Sequence, residues 1–83
     1  MIISINFSNY FSLSQELGDR NIEAKTCAGL GHSARCMGDL IQAKQWFERQ
    51  LDIALAMKDK LGEGKSCSNL GVVYQLLGKQ INK

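Results

Sequence analysis

Proline is absent from this chain of 83 residues, histidine and tryptophan occur once each, and aromatic residues make up 7%. Without proline there are no polyproline segments and no proline-set turns, so chain reversals fall to the eight glycines and to short polar residues. Charge of either sign is nearly balanced, ten Lys and Arg against eight Asp and Glu, a formal +2. That is too little to suggest nucleic acid, for which a basic stripe along one face is expected. No apolar run reaches the roughly 18 residues that a membrane span needs. The opening Met1 to Phe7 is apolar but has no Lys or Arg before it, so it reads as neither a signal nor a transit peptide. His32 has no metal partners in reach of sequence logic, since Cys27 and Cys36 do not share its helix face at ligand spacing. Cys36 has Arg35 beside it but little else that would make a reactive thiol.

What the chain does contain is an internal repeat. A step of forty residues pairs Asp19 with Asp59, Glu23 with Glu63, Lys25 with Lys65, Cys27 with Cys67, Leu30-Gly31 with Leu70-Gly71, and Gly38 with Gly78, seven identities in twenty positions. A period of this size marks stacked units, each burying its apolar face on its neighbour. Cysteine usage agrees with such a stack. Equivalent residues lie about one repeat apart, beyond the Cα separation of about 4.4–6.8 Å that a disulfide requires. Cys27 and Cys67 are therefore expected as buried free thiols, which favours a reducing compartment such as the cytoplasm.

Four helical segments are predicted. The first covers about Ile3 to Leu17. The second, Arg20 to Met37, starts behind Asp19 as N-cap and stops at Gly38. The third, Leu40 to Met57, starts behind Asp39, with Gln42 completing a capping box. The fourth, Lys60 to Leu77, starts behind Asp59 and stops at Gly78, and its Gly62-Glu63-Gly64 opening costs about 1 kcal/mol per glycine relative to alanine. Apolar spacing supports these assignments, with Cys27, Leu30, Gly31 and Ala34 at i, i+3, i+4 and i+7, and Cys67, Leu70, Gly71 and Tyr74 likewise. The third segment carries two stripes, Leu40-Ala43-Phe47-Leu51-Ala54 and Trp46-Ile53-Met57, as a helix touching two neighbours does. Trp46, Phe47 and Tyr74 read as core, and Asp19, Asp59, Glu23 and Glu63 as helix-start residues complementing the dipole.

These residues resemble the tetratricopeptide repeat. Leu30-Gly31, Gly38-Asp39, Ala43, Trp46-Phe47 and Leu51 supply a complete repeat, and Leu70-Gly71, Tyr74 and Gly78 the first half of another. Counting back forty, Phe7 matches Phe47, Phe11 matches Leu51 and Leu13 matches Ile53, so residues 1–18 read as the second helix of a partial repeat. Residues 19–58 then form the complete repeat, 59–78 the first helix of a further one, and 79–83 a tail. Departures are Cys27 and Cys67 for a large residue, Ala34 for an aromatic, Gln50 for a small residue and the missing terminal proline. The forty-residue length is similar to the long repeats of the Pins/LGN scaffolds. The resemblance implies an all-α, right-handed solenoid of four antiparallel helices, without cofactor or catalytic chemistry, in which Gly31 and Gly71 let paired helices approach closely.

In such arrays the first helices line a groove that binds peptides. One face of the second segment carries Lys25, Ala28, His32 and Arg35, and the equivalent face of the fourth carries Lys65, Ser68, Val72 and Gln75. The expected ligand is an extended protein segment bearing Asp or Glu, with Lys25 and Lys65 as charge-assisted donors. The resemblance adds Asn69, at a position that holds a ligand's backbone. The expected binding set is thus Lys25, His32, Arg35, Lys65, Asn69 and Val72, with neither nucleic acid nor membrane as partner. Against it stands ordinary solvated surface charge. A second expectation is that the chain is part of a longer array, or associates with itself or its parent array through exposed helix faces around Leu70, Tyr74 and Leu77.

Overall fold

The computed structural model describes residues 18–81. Those residues form three α-helices and no strand: α1 (Arg20–Cys36), α2 (Leu40–Ala56) and α3 (Lys60–Ile81). The segment expected over Ile3 to Leu17 lies outside the described residues.

Each helix starts where an aspartate can satisfy its exposed N–H groups. Oδ1 of Asp19, Asp39 and Asp59 accepts the backbone N–H three residues on, from Ile22 at 3.2 Å, Gln42 at 3.1 Å and Gly62 at 3.1 Å. The capping box expected at α2 forms only in this direction. The Asp39 N–H that Gln42 would have served donates instead to the Ala34 carbonyl at 2.9 Å.

That bond belongs to a Schellman turn, in which Gly38 at φ 84° also donates to Arg35 O. The same turn closes α2, with Lys58 donating to Leu55 O and Asp59 to Ala54 O. There a lysine, at φ 56°, occupies the left-handed position that glycine holds in the first turn.

Contacts run antiparallel. Gly31 meets Phe47 and Cys27 packs with Ile53, so positions on α1 fall as those on α2 rise. Between α2 and α3, Gln50 meets Asn69 and Ala54 lies against Gly62. The middle helix packs on both others, while α1 and α3 barely touch. This open arrangement follows from the two stripes of α2. Leu40, Ala43 and Phe47 form one core with Ala34 of α1 and Leu70 and Val73 of α3. Ile53 and Trp46 form a second with Cys27 and Leu30. Met57, placed on the inner stripe by its spacing, is 38% exposed because α2 has ended at Ala56.

Several expectations for the last helix are corrected. Gly78 does not stop it, since α3 runs on to Ile81. Glycine alone does not break a helix, and Lys79 follows where Asp39, the next cap, follows Gly38. Cys67 is exposed rather than buried, and Tyr74 is 49% exposed rather than core. Gly71 is no site of close approach, because a Cβ there would meet nothing within 4 Å. All three face away from α2, and no described helix lies on that side. Leu70 in turn is buried at 6%, and Leu77 is half-buried against the core, so the exposed face of α3 is not the one drawn through them.

The glycines at the start of α3 differ from each other. Gly62 lies close to Asp59 and to Ala54, whereas Gly64 has open space. Ser66 is fully buried and its hydroxyl donates to Gly62 O at 2.8 Å, as Thr26 Oγ1 donates to Ile22 O at 2.8 Å one step of forty earlier.

Candidate functional site

The residues expected to form a groove divide into two groups. Lys25 and Ala28 from α1 and Lys65 from the first turns of α3 line one cleft of about 380 Å³, whose wall is completed by Gln50 of α2. Lys25 and Lys65 stand at its rim, exposed, and neither forms an ion pair with a described residue. Asp59 also lines the cleft, but its carboxylate caps α3 through the Gly62 N–H. The lining therefore sets two lysines against one aspartate already engaged by a helix end.

Why this cleft exists is readable from the helices. Lys25 and Lys65 are equivalent residues of α1 and α3, and α2 holds these two helices apart on its one side. The floor between them is left to side chains of α2. Gln50 supplies it, 8% exposed, with Oε1 accepting from Asn69 Nδ2 at 3.3 Å. Sequence reasoning noted Gln50 only as a departure from a small residue. The signal that could have exposed its role was its chemistry, since a long amide at an interior position demands a polar partner.

The remaining expected residues do not share the cleft. His32 is exposed and rests edge-on against Phe47, ring centroids 5.1 Å apart at 68°. Arg35 is half-buried in the last turn of α1, and its Nε is buried without a hydrogen-bond partner among the described residues. Asn69 spends one amide N–H on Gln50. Val72, Ser68 and Gln75 are exposed on α3.

The expected helix-start acids stand at helix starts, Asp19 and Asp59 as caps and Glu23 and Glu63 in the first turns. Glu23 is buried at 4% and pairs with Arg20 at 3.0 Å, while Glu63 pairs with Lys60 at 3.7 Å. Cys27 is fully buried, and burial pushes its thiol up to about 11, with Arg49 and Arg20 opposing and Glu23 adding to the rise. That thiol stays protonated at neutral pH and acts as a small apolar group. Among the described residues no three His, Cys, Asp or Glu side chains gather where they could hold a metal ion. No helix among them is long and apolar enough to cross a membrane.

No protein-family model matches this chain, and no curated protein matches it.

Proposed function

We propose that this chain is a non-catalytic protein–protein interaction module of the tetratricopeptide kind, acting in the cytoplasm, that holds an extended acidic peptide across α1 and α3. The observation that carries this reading is the cleft that brings Lys25 and Lys65 together with no ion pair from the described residues to either. A carboxylate laid there gains two charge-assisted hydrogen bonds. Asn69, anchored by Gln50, has a second amide N–H and its Oδ1 for the ligand's backbone. The arrangement that supports the tetratricopeptide reading is the open order of helices, with Gly31 of α1 against Phe47 of α2 as the repeat pattern asks.

Fluorescence anisotropy with labelled Asp- and Glu-rich peptides tests the groove. Reversing both charges, Lys25→Glu with Lys65→Glu, should weaken binding by roughly tenfold or more, and added salt should weaken the wild type further. Circular dichroism should show the helices unchanged. Equal affinity for wild type and variant, or no binding by the wild type, refutes the reading.

A further inference from the structure

The lysine cleft has a floor as well as a rim. Gln50 lines it from α2 and is 8% exposed, so its side chain lies more than nine-tenths inside the protein. The two ends of its amide are used unequally. Oε1 accepts from Asn69 Nδ2 at 3.3 Å, whereas the described residues provide no acceptor for the two N–H groups of Nε2. Of the side-chain nitrogens and oxygens in the described interior, Arg35 Nε alone is both sealed from solvent and unpartnered, so Gln50 Nε2 is not sealed. The opening it reaches is the cleft. Small neighbours keep that floor clear. Ala24 and Ala28 of α1 and Gly62 of α3 line the same space, and none has a side chain long enough to lie across Gln50.

A buried amide normally satisfies its donors, and an N–H pair left facing a pocket is held ready for an acceptor. The chemistry of the surroundings says which acceptor. Lys25 and Lys65 bring ammonium groups, which donate only. Among the described lining residues the one carboxylate is Asp59, and it already accepts from the Gly62 N–H. The cleft therefore offers donors at two depths. An ionised carboxylate is acceptor-only, with two oxygens, whereas a carboxamide has one such oxygen and an NH2 that would face those donors.

We propose that Gln50 is the specificity-determining contact of this cleft: an acidic side chain of the ligand passes between Lys25 and Lys65, and its carboxylate accepts a hydrogen bond from Gln50 Nε2. The inference rests on the peptide groove proposed above and adds to it a buried contact that selects carboxylate over carboxamide. The glutamine that stands where the repeat pattern has a small residue thus takes part in recognition as well as in holding Asn69.

Salt separates the two contributions. The lysines are exposed, and at 1 M salt, where the Debye length is about 3 Å, their attraction is largely screened, while a buried hydrogen bond is screened much less. The test is a proton–nitrogen NMR titration of the full chain at low salt and at 1 M salt. Its probes are an extended peptide carrying one Glu and the same peptide with Gln in that place. The Gln50 side-chain amide signals, found by sequential assignment, should move on binding the Glu peptide. Preference for that peptide should persist at 1 M salt at roughly fivefold, since a charge-assisted hydrogen bond is about twice as strong as a neutral one. Gln50→Glu keeps an oxygen for Asn69 Nδ2 and exchanges the N–H donors for an acceptor, so the residual preference should vanish or reverse. Amide signals that stay put while the peptide binds overturn the inference, as does a preference that disappears at 1 M salt or survives in Gln50→Glu. These results leave the lysine groove standing when Lys25→Glu with Lys65→Glu still weakens low-salt binding, whereas a wild type that binds neither peptide overturns both. Should Gln50→Glu fail to fold, the wild-type amide signals and salt series decide alone.

Discussion

Gly31→Ala and Gly71→Ala should shift stability in opposite directions, although the two glycines occupy equivalent positions. In a helix interior, alanine is favoured over glycine by about 1 kcal/mol. At Gly71 nothing opposes that gain, because the added methyl enters open space. At Gly31 the methyl would meet three ring carbons of Phe47, the nearest at 2.4 Å. Phe47 is 1% exposed and enclosed by Leu40, Ala43, Leu70 and Val73, with His32 on its edge, so its ring has nowhere to swing. Overpacking of this kind costs about 1–3 kcal/mol, which leaves a net loss of roughly 1–2 kcal/mol once the helix gain is subtracted. For a domain of this size each kcal/mol moves Tm by about 4–8 °C. Thermal melts by circular dichroism at dilute, monomeric concentration should therefore place Gly71→Ala above the wild type and Gly31→Ala below it. Phe47→Leu should cost less in the Gly31→Ala background than in the wild type, a coupling that a double-mutant cycle reads directly. A rise in Tm for Gly31→Ala equal to that for Gly71→Ala would refute the packing of α1 on α2 described above.

Two further outcomes follow from local geometry. Lys58→Gly should raise stability by about 0.5–1 kcal/mol, because it relieves a left-handed lysine at a cost in unfolded-chain entropy, and a denaturant midpoint no higher than the wild type's would contradict the turn. Cys27 should resist thiol reagents in the folded chain while Cys36 and Cys67 react. Its folded value near 11 against an ordinary 9.0 means that the unfolded state loses the proton first. Stability should then be complete below about pH 9 and fall between pH 9 and pH 11, by on the order of 2–3 kcal/mol if the full difference is expressed. Urea titrations at several pH values check this against Cys27→Ala, which should lose that part of the slope.

The helix starts were legible because each rests on a local signal. Asp19, Asp39 and Asp59 cap the helices that their positions announce. The two apolar stripes of α2 likewise foretold its two neighbours. What escaped depends on surroundings that identical residues do not share. Gly38 ends a helix because Asp39 and Leu40 begin the next, and Gly78, followed by Lys79, is passed over. Gly31 and Gly71 read alike but only one has a phenylalanine against it. Lys58 was invisible because lysine carries no mark of a left-handed backbone. In the cleft, Lys25 and Lys65 were found through their equivalence, while Gln50 was missed because its role comes from a partner nineteen residues away. His32, Arg35 and Val72 share helix faces with the cleft lysines by spacing, but they lie further along, outside its lining.

The Gln50–Asn69 bond also works as an index mark between α2 and α3. Apolar surfaces slide past one another at little cost, and a one-turn slip of about 5.4 Å would still bury leucine on leucine. It would also strand the amide of a nearly buried glutamine, a penalty of about 1–3 kcal/mol. That penalty fixes α3 lengthwise, and with it the offset between the two lysine ammonium groups. In the proposed groove, the geometry offered to a carboxylate is thus set by an uncharged pair beneath the lysines.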